Sequence, residues 1–174
     1  VRPRAARYHW ARSTPAGRSL VVSANETDRR IRLYRLDLAT GASAPVTPEG
    51  GGFLLPLTAA GDAVTSQDAD GRIRLFPLAG GPPRDVVGLL PQEDVLLWLP
   101  GDGAYLAARR NDTPLKVYRV DASTGARRLH SEVGPADRNG LRFVWPVAFS
   151  ADGSAVAYNV SRLFSELFAV EGVR

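Results

Sequence analysis

The sequence predicts an all-β fold: a β-propeller of four consecutive four-stranded blades, the last one incomplete, forming part of a larger six- to eight-bladed ring. A phrase that returns in register carries most of this. Tyr34-Arg35-Leu36-Asp37-Leu38-Ala39-Thr40-Gly41 recurs as Tyr118-Arg119-Val120-Asp121-Ala122-Ser123-Thr124-Gly125, 84 residues on. Degenerate copies stand at Phe76-Pro77-Leu78-Ala79-Gly80 and Phe168-Ala169-Val170-Glu171-Gly172. An aromatic, an aliphatic two residues later and then a turn, returning about every 42 residues, match the period of blades built from several strands. The second observation is a glycine turn ahead of a short apolar run in every repeat. The third is the spacing of such runs, ~8–12 residues apart and bounded by turn residues, which leaves almost no room for helix.

The blades fall at 8–48, 53–88, 95–133 and 144–174 of a single propeller segment covering 1–174. First strands run Tyr8–Arg12, Phe53–Thr58, Val95–Leu99 and Val144–Phe149. Each ends in a glycine turn, where a tight hairpin requires a positive φ. Second strands follow at Leu20–Ser23, Ala63–Thr65, Tyr105–Ala108 and Ala155–Tyr158. Third strands are the recurring phrase and include Leu33, Leu75, Val117 and Leu167. Fourth strands follow at 44–47, 84–87 and 127–130, and Pro45 suits an outer edge because it has no N–H to donate. The fourth repeat stops after its third strand. A closed four-bladed disc, with Val1–Arg7 supplying the missing outer strand beside Phe168, is the alternative. Trp10, Trp98 and Trp145 recur on or beside first strands, as aromatics that pack between neighbouring sheets do. Blades buried on both faces explain runs that do not alternate, such as Val95-Leu96-Leu97-Trp98.

Composition bounds the function. The chain has 174 residues, 44% of them apolar and 23% charged, which describes a globular domain. No apolar run approaches the ~20 residues of a membrane-spanning helix, so direct membrane insertion of this segment is not expected. There is no Cys, which excludes disulfides, zinc thiolates and thiol nucleophiles. Met is missing even at position 1, from which we expect a piece of a longer protein. The net charge of +4 lies on Arg pairs with acidic neighbours, and no tract of Arg interleaved with aromatics occurs. The charges are read as solvated hairpin tips and not as a nucleic-acid surface.

Phe149-Ser150-Ala151-Asp152-Gly153 is one substitution from a Ser-Pro-Asp-Gly turn that follows an aromatic. On this turn the chain resembles the bacterial WD40-like propellers related to TolB. Val117-Tyr118-Arg119-Val120-Asp121, Gly134-Pro135-Ala136-Asp137-Arg138-Asn139-Gly140 and the stretch from Ala157 to Gly172 are similar to the C-terminal end of propellers attached to eukaryotic-like serine/threonine kinases. The subgroup more often carries Tyr-Ser-Tyr-Ser-Arg where this chain has Tyr158-Asn159-Val160-Ser161-Arg162. The resemblance implies a non-catalytic binding or sensory module at the end of a signalling protein. It would be extracytoplasmic if the parent is membrane-anchored and cytoplasmic otherwise. The alternative is the substrate-gating propeller of a peptidase whose catalytic domain lies elsewhere.

No kinase motif is present, with Lys116 the sole lysine, and no serine elbow accompanies either His9 or His130. No catalytic residue and no cofactor is expected. Asp68-Ala69-Asp70-Gly71 begins like a calcium loop but lacks the distal carboxylate, so it reads as a turn and no metal is expected. Gly50-Gly51-Gly52 precedes a strand and reads as a passage between blades. Strand alternation places the first-to-second and third-to-fourth turns on one end of the propeller. The second-to-third turns and the inter-blade passages lie on the other, where loops are longer and richer in Arg, Asn and Asp. Binding of a protein or small ligand is expected at that loop-rich end, with Arg109, Arg110, Asn111 and Arg162 as contacts.

Overall fold

The computed structural model describes residues 5–101, 103–169 and 171–172. Its blades are built from turns that repeat the same hydrogen bonds. After three of the four first strands a hydroxyl closes the hairpin. The Thr14 hydroxyl donates to Ser19 O at 3.1 Å, that of Thr58 to Ala63 O at 3.2 Å, and that of Ser150 to Ala155 O at 3.4 Å. In the third blade Leu99 takes this place, and only the backbone bond from Leu99 N to Ala104 O remains. Before each fourth strand of the well-formed repeats an Asp organises the turn. Asp37 Oδ1 accepts the Ala39 and Thr40 N–H groups and the Thr40 hydroxyl. Asp121 does the same with Ser123 and Thr124.

Fourteen strands result, all antiparallel to their neighbours, and no helix occurs among the described residues. The first sheet is β1 (Ala5–Ser13), β2 (Ser19–Glu26), β3 (Arg32–Asp37) and β4 (Ser43–Pro45), in that spatial order. The second is β5 (Leu54–Leu57), β6 (Ala63–Gln67), β7 (Ile73–Pro77) and β8 (Arg84–Asp85). The third is β9 (Glu93–Trp98), β10 (Ala104–Arg109), β11 (Leu115–Asp121) and β12 (Arg127–Val133). The fourth is a hairpin of β13 (Leu141–Phe149) and β14 (Val156–Arg162). First strands are innermost, with β9 packed beside both β5 and β13. The outer strands β4 and β8 have only three and two residues, which keeps those edges short.

Successive side chains of a strand point to opposite faces, so each sheet presents one apolar set to the blade before it and another to the blade after. Val21 and Leu33 meet Leu57, Val64, Phe76 and Leu78 between the first two blades. Ile73 and Leu75 meet Val95, Tyr105, Ala107 and Val120 between the second and third. Leu106, Leu115 and Val117 meet Val144, Phe149 and Val156 between the third and fourth. A last cluster of Val22, Ala24 and Tyr34, flanked by Leu20 and Leu36, belongs to the first blade alone. Among the described residues no apolar cluster joins the fourth blade to the first.

Two glycines set the spacing. Gly61, at φ +71°, leaves no room for a Cβ, which would stand 2.4 Å from Pro15 Cδ in the turn of the preceding blade. Gly88, at φ +80°, lies with its backbone against Gly125, so that a Cβ would meet Gly125 Cα at 2.6 Å.

Three expectations need correction. Leu33, Leu75 and Val117 lie in third strands, but Leu167 does not, because residues 163–169 form no ladder. Leu167 and Phe168 are 99% and 78% exposed, where Leu33 and Tyr34 of the first blade are 0% and 6%. Among the described residues no strand pairs with this segment and none covers these side chains. The proposed closing strand at Val1–Arg7 is not one either. Ala5 and Arg7 continue β1 and pair with Glu26 and Asn25, and residues 1–4 lie outside the described residues. Trp10 is 72% exposed and packs no interface, whereas Trp98 fits the expectation, donating from Nε1 to Thr65 Oγ1 at 2.8 Å across two blades.

The fourth blade exposes apolar side chains on both faces, Phe143 on one and Tyr158 and Val160 on the other, and Phe164, Leu167 and Phe168 beyond β14 are exposed as well. Apolar patches of this kind and the unpaired edge of β14 promote association. The purified chain is therefore expected to self-associate with rising concentration. Light scattering that shows a monomer throughout, with a cooperative melt, would contradict this.

Candidate functional site

The loop-rich end is ordered by charge. The third blade opens with two adjacent acids, Glu93 and Asp94, which are 5% and 1% exposed. Strand alternation sends them to opposite faces of the sheet, and each meets an arginine fork. Arg110 Nε and Nη2 donate to Asp94 at 2.6 and 2.5 Å. Arg127 donates to both oxygens of Glu93 at 3.2 and 2.5 Å, lies 4.5 Å above the Tyr118 ring, and leaves Glu93 Oε2 to accept the Leu90 N–H. Bidentate guanidinium–carboxylate pairs fix direction as well as charge. Hydrogen bonding to their carboxylates raises both arginine pKa values further above their ordinary value. Tyr105 lies in the same interface with its hydroxyl donating to Val87 O, and burial raises its phenol pKa.

The four residues expected to contact a ligand all lie at this end, at or just beyond the ends of second strands. Arg109 donates to Gln92 Oε1 at 3.0 Å, and Arg110 is held by Asp94. Asn111 turns the chain between β10 and β11 at φ +67°. Arg162 donates from Nη1 to Asp137 Oδ2 at 3.0 Å and from Nη2 to Asp137 O at 2.7 Å. Arg109, Arg110 and Asn111 are brought together by one turn. Arg162 belongs to the fourth blade and is tied to the passage that leads into it. Arg110 also borders a cleft of about 580 Å³ between the second and third blades, with Gln67, Arg72, Leu90 and Gln92 around it. Sequence reasoning missed Glu93 and Asp94, because it began the strand at Val95. Two acids directly before Val95-Leu96-Leu97-Trp98, with arginines 16 and 34 residues later, were the available signal.

The turn at Asp68 is closed from within. Asp68 Oδ1 accepts the N–H groups of Asp70 and Arg72, and Oδ2 stands 3.3 Å from Arg74 Nε. Among the described residues no three His, Asp or Glu side chains are grouped to hold a metal ion, and no helix is long and apolar enough to cross a membrane. His9 Nε2 lies 3.0 Å from Asn25 Oδ1, and His130 Nε2 lies 3.1 Å from Gly153 O.

The opposite end holds a second cleft, of about 480 Å³, where the first strands finish. Leu57, Leu97, Trp98 and Phe149 supply walls from three blades, and Arg12 and Pro15 close it from the first. Among the described residues no acidic side chain lines it. Nothing in the sequence pattern marked it, since the residues are ordinary strand ends that converge only when the blades are arranged around one axis.

Burial separates the ion pairs energetically. Glu93 keeps 4% of its side chain exposed and Asp137 keeps 62%. Arg127→Ala strands a buried carboxylate and is expected to cost about 3–5 kcal/mol. Arg162→Ala, in water, is expected to cost about 1 kcal/mol or less. Urea unfolding of both variants checks this, and equal losses would refute it. Asp152 gives a second outcome. Its carboxylate accepts the hydroxyl of Ser150, then the N–H and hydroxyl of Ser154, which lower its pKa from 3.8 to about 2. A depressed folded-state pKa means that these bonds stabilise the fold above pH 3.8 and lose their effect as the pH falls through about 2. Carboxyl carbon NMR should give a midpoint near 2, moving up in Ser154→Ala.

No family model matches the sequence, and no curated protein is significantly similar to it. Solved structures do match. TolB from Acinetobacter baumannii superposes with a TM-score of 0.64 at 18% identity, over 88% of this chain and 40% of that one. A putative TolB from Agrobacterium tumefaciens gives 0.59 at 22% identity, over 90% and 55%. The chain thus spans about half the length of these proteins or less. It has the fold of a TolB-like β-propeller.

Proposed function

We propose that this chain is a non-catalytic binding or sensory propeller, the part of a bacterial signalling protein of the serine/threonine kinase type that contacts a protein or small ligand at its loop-rich end. The observation that carries the reading is the cleft between the second and third blades. It is bordered by Gln67, Arg72, Gln92 and Arg110, and its walls are fixed by the two bidentate pairs beneath it. A rigid scaffold carrying exposed polar loops is how such folds present binding residues. Arg72 is exposed at the rim, while Arg109, Arg110 and Arg162 meet a ligand as parts of networks they already hold. The non-catalytic part of the reading rests on the sequence, which has no serine elbow and no kinase motif.

Association with a kinase rests on the motifs at the C-terminal end of the sequence. Sequencing the adjoining reading frame tests it: an in-frame kinase domain is the expected result, and an α/β-hydrolase domain would overturn it. The purified chain is expected to show no turnover of ATP, peptide or ester substrates above buffer. Turnover abolished by His9→Ala or His130→Ala would refute the non-catalytic reading.

A further inference from the structure

We infer that the axial cleft at the short-turn end binds the carboxyl terminus of a peptide that ends in an apolar residue, with Arg12 receiving the carboxylate. This site lies at the opposite end from the loops discussed above and does not depend on them. Its volume of about 480 Å³ suits a ligand of a few residues. Leu57, Leu97, Phe149 and Trp98 give it an apolar interior. Trp98 is fixed before any ligand arrives: its Nε1 donates to Thr65 and its ring packs against Tyr105 at 5.0 Å between centroids. Preorganised walls of this kind spare a ligand the cost of ordering them.

The charge at the mouth selects the ligand. Arg12 pairs with Val21 in the β1–β2 ladder, and residues directly opposite share a face. Val21 packs towards the second blade, so the ladder directs Arg12 to the same side. At the other cleft Arg110 is neutralised by Asp94, and Arg72 shares the rim with the acids Asp85 and Glu93, while Arg127 in the adjoining interface is neutralised by Glu93. Arg12 is exposed and, among the described residues, has no acidic partner and stands over a cleft that no acid lines. An uncompensated guanidinium above apolar walls is complementary to a carboxylate carried by an apolar group. A peptide end fits better than a fatty acid. The cleft is open at its mouth, where a peptide backbone remains hydrated while its last side chain enters, whereas an acyl tail would leave much of its length in water.

Titration calorimetry with acetyl-Gly-Gly-Phe, its carboxamide and octanoate tests this. The free acid is expected to saturate one site, with the carboxamide weaker by about tenfold or more, the worth of one charge-assisted hydrogen bond. Arg12→Gln should weaken the acid by the same factor and abolish the difference between acid and amide. Arg142→Gln, an exposed arginine away from the cleft, should change neither. Arg12 supports no core contact, so an unchanged circular dichroism melt confirms that its variant is folded. The inference fails if no peptide binds, if acid and amide bind alike, if Arg12→Gln leaves the acid unaffected, or if octanoate binds more tightly than the peptide.

Discussion

A sheet of short strands with apolar side chains on both faces has no stable existence alone. This constraint governs the molecule. Each blade supplies one half of two different cores, and neither half is apolar enough to persist without the other. The second and third blades satisfy the condition on both sides, and the deepest residues lie there or at their borders: Val64, Tyr105, Leu106, Leu115 and Val117. The first blade satisfies it on one side, with Val21 and Leu33 inward and the Val22–Tyr34 cluster facing away. Turn chemistry serves the same end. The hydroxyl and Asp turns hold each hairpin in the register that keeps the two apolar sets on their proper faces.

The recurring phrase made most of this legible. Its aromatic and the aliphatic before it separate in space: Phe76 and Tyr118 face the preceding blade, while Leu75 and Val117 face the following one. Period and turn residues were enough to place three complete blades and the ends at which their loops emerge. What stayed hidden depends on neighbours that a pattern does not encode. Leu167 and Phe168 carry the phrase yet form no strand, because a third strand requires partners on its far edge and on both faces. The pairing of Glu93 with Arg127 crosses four strands, and no local spacing announces it. The axial cleft is similarly a property of assembly, made from residues that look like routine ends of strands.

Electrostatically the two ends of the propeller differ. At one, several arginines are paired with acids, and buried carboxylates at the start of β9 act as anchors that orient the forks above them. Such pairs contribute more to geometry than to net stability, since desolvation offsets much of their attraction. At the other, turns are short, carboxylates such as Asp37, Asp121 and Asp152 are consumed by their own loops, and hydrogen bonds from neighbouring N–H and hydroxyl groups hold their pKa values down. Acids bound in this way stay ionised and hold their own turns in shape.

The β13–β14 hairpin bears on how the chain would come apart. Its ladder is long, from Leu141 against Arg162 to Phe149 against Val156, but Val144 is the one apolar side chain it buries fully among the described residues. Tension applied through the C-terminal end would therefore meet a zipper before it met a core. The hairpin would peel residue by residue at low force, its bonds breaking in series, while the first three sheets resisted together in shear. The same hairpin would be the first region to open thermally and the last to close. A partner seated on it would stiffen the whole array by arresting that fraying at its source.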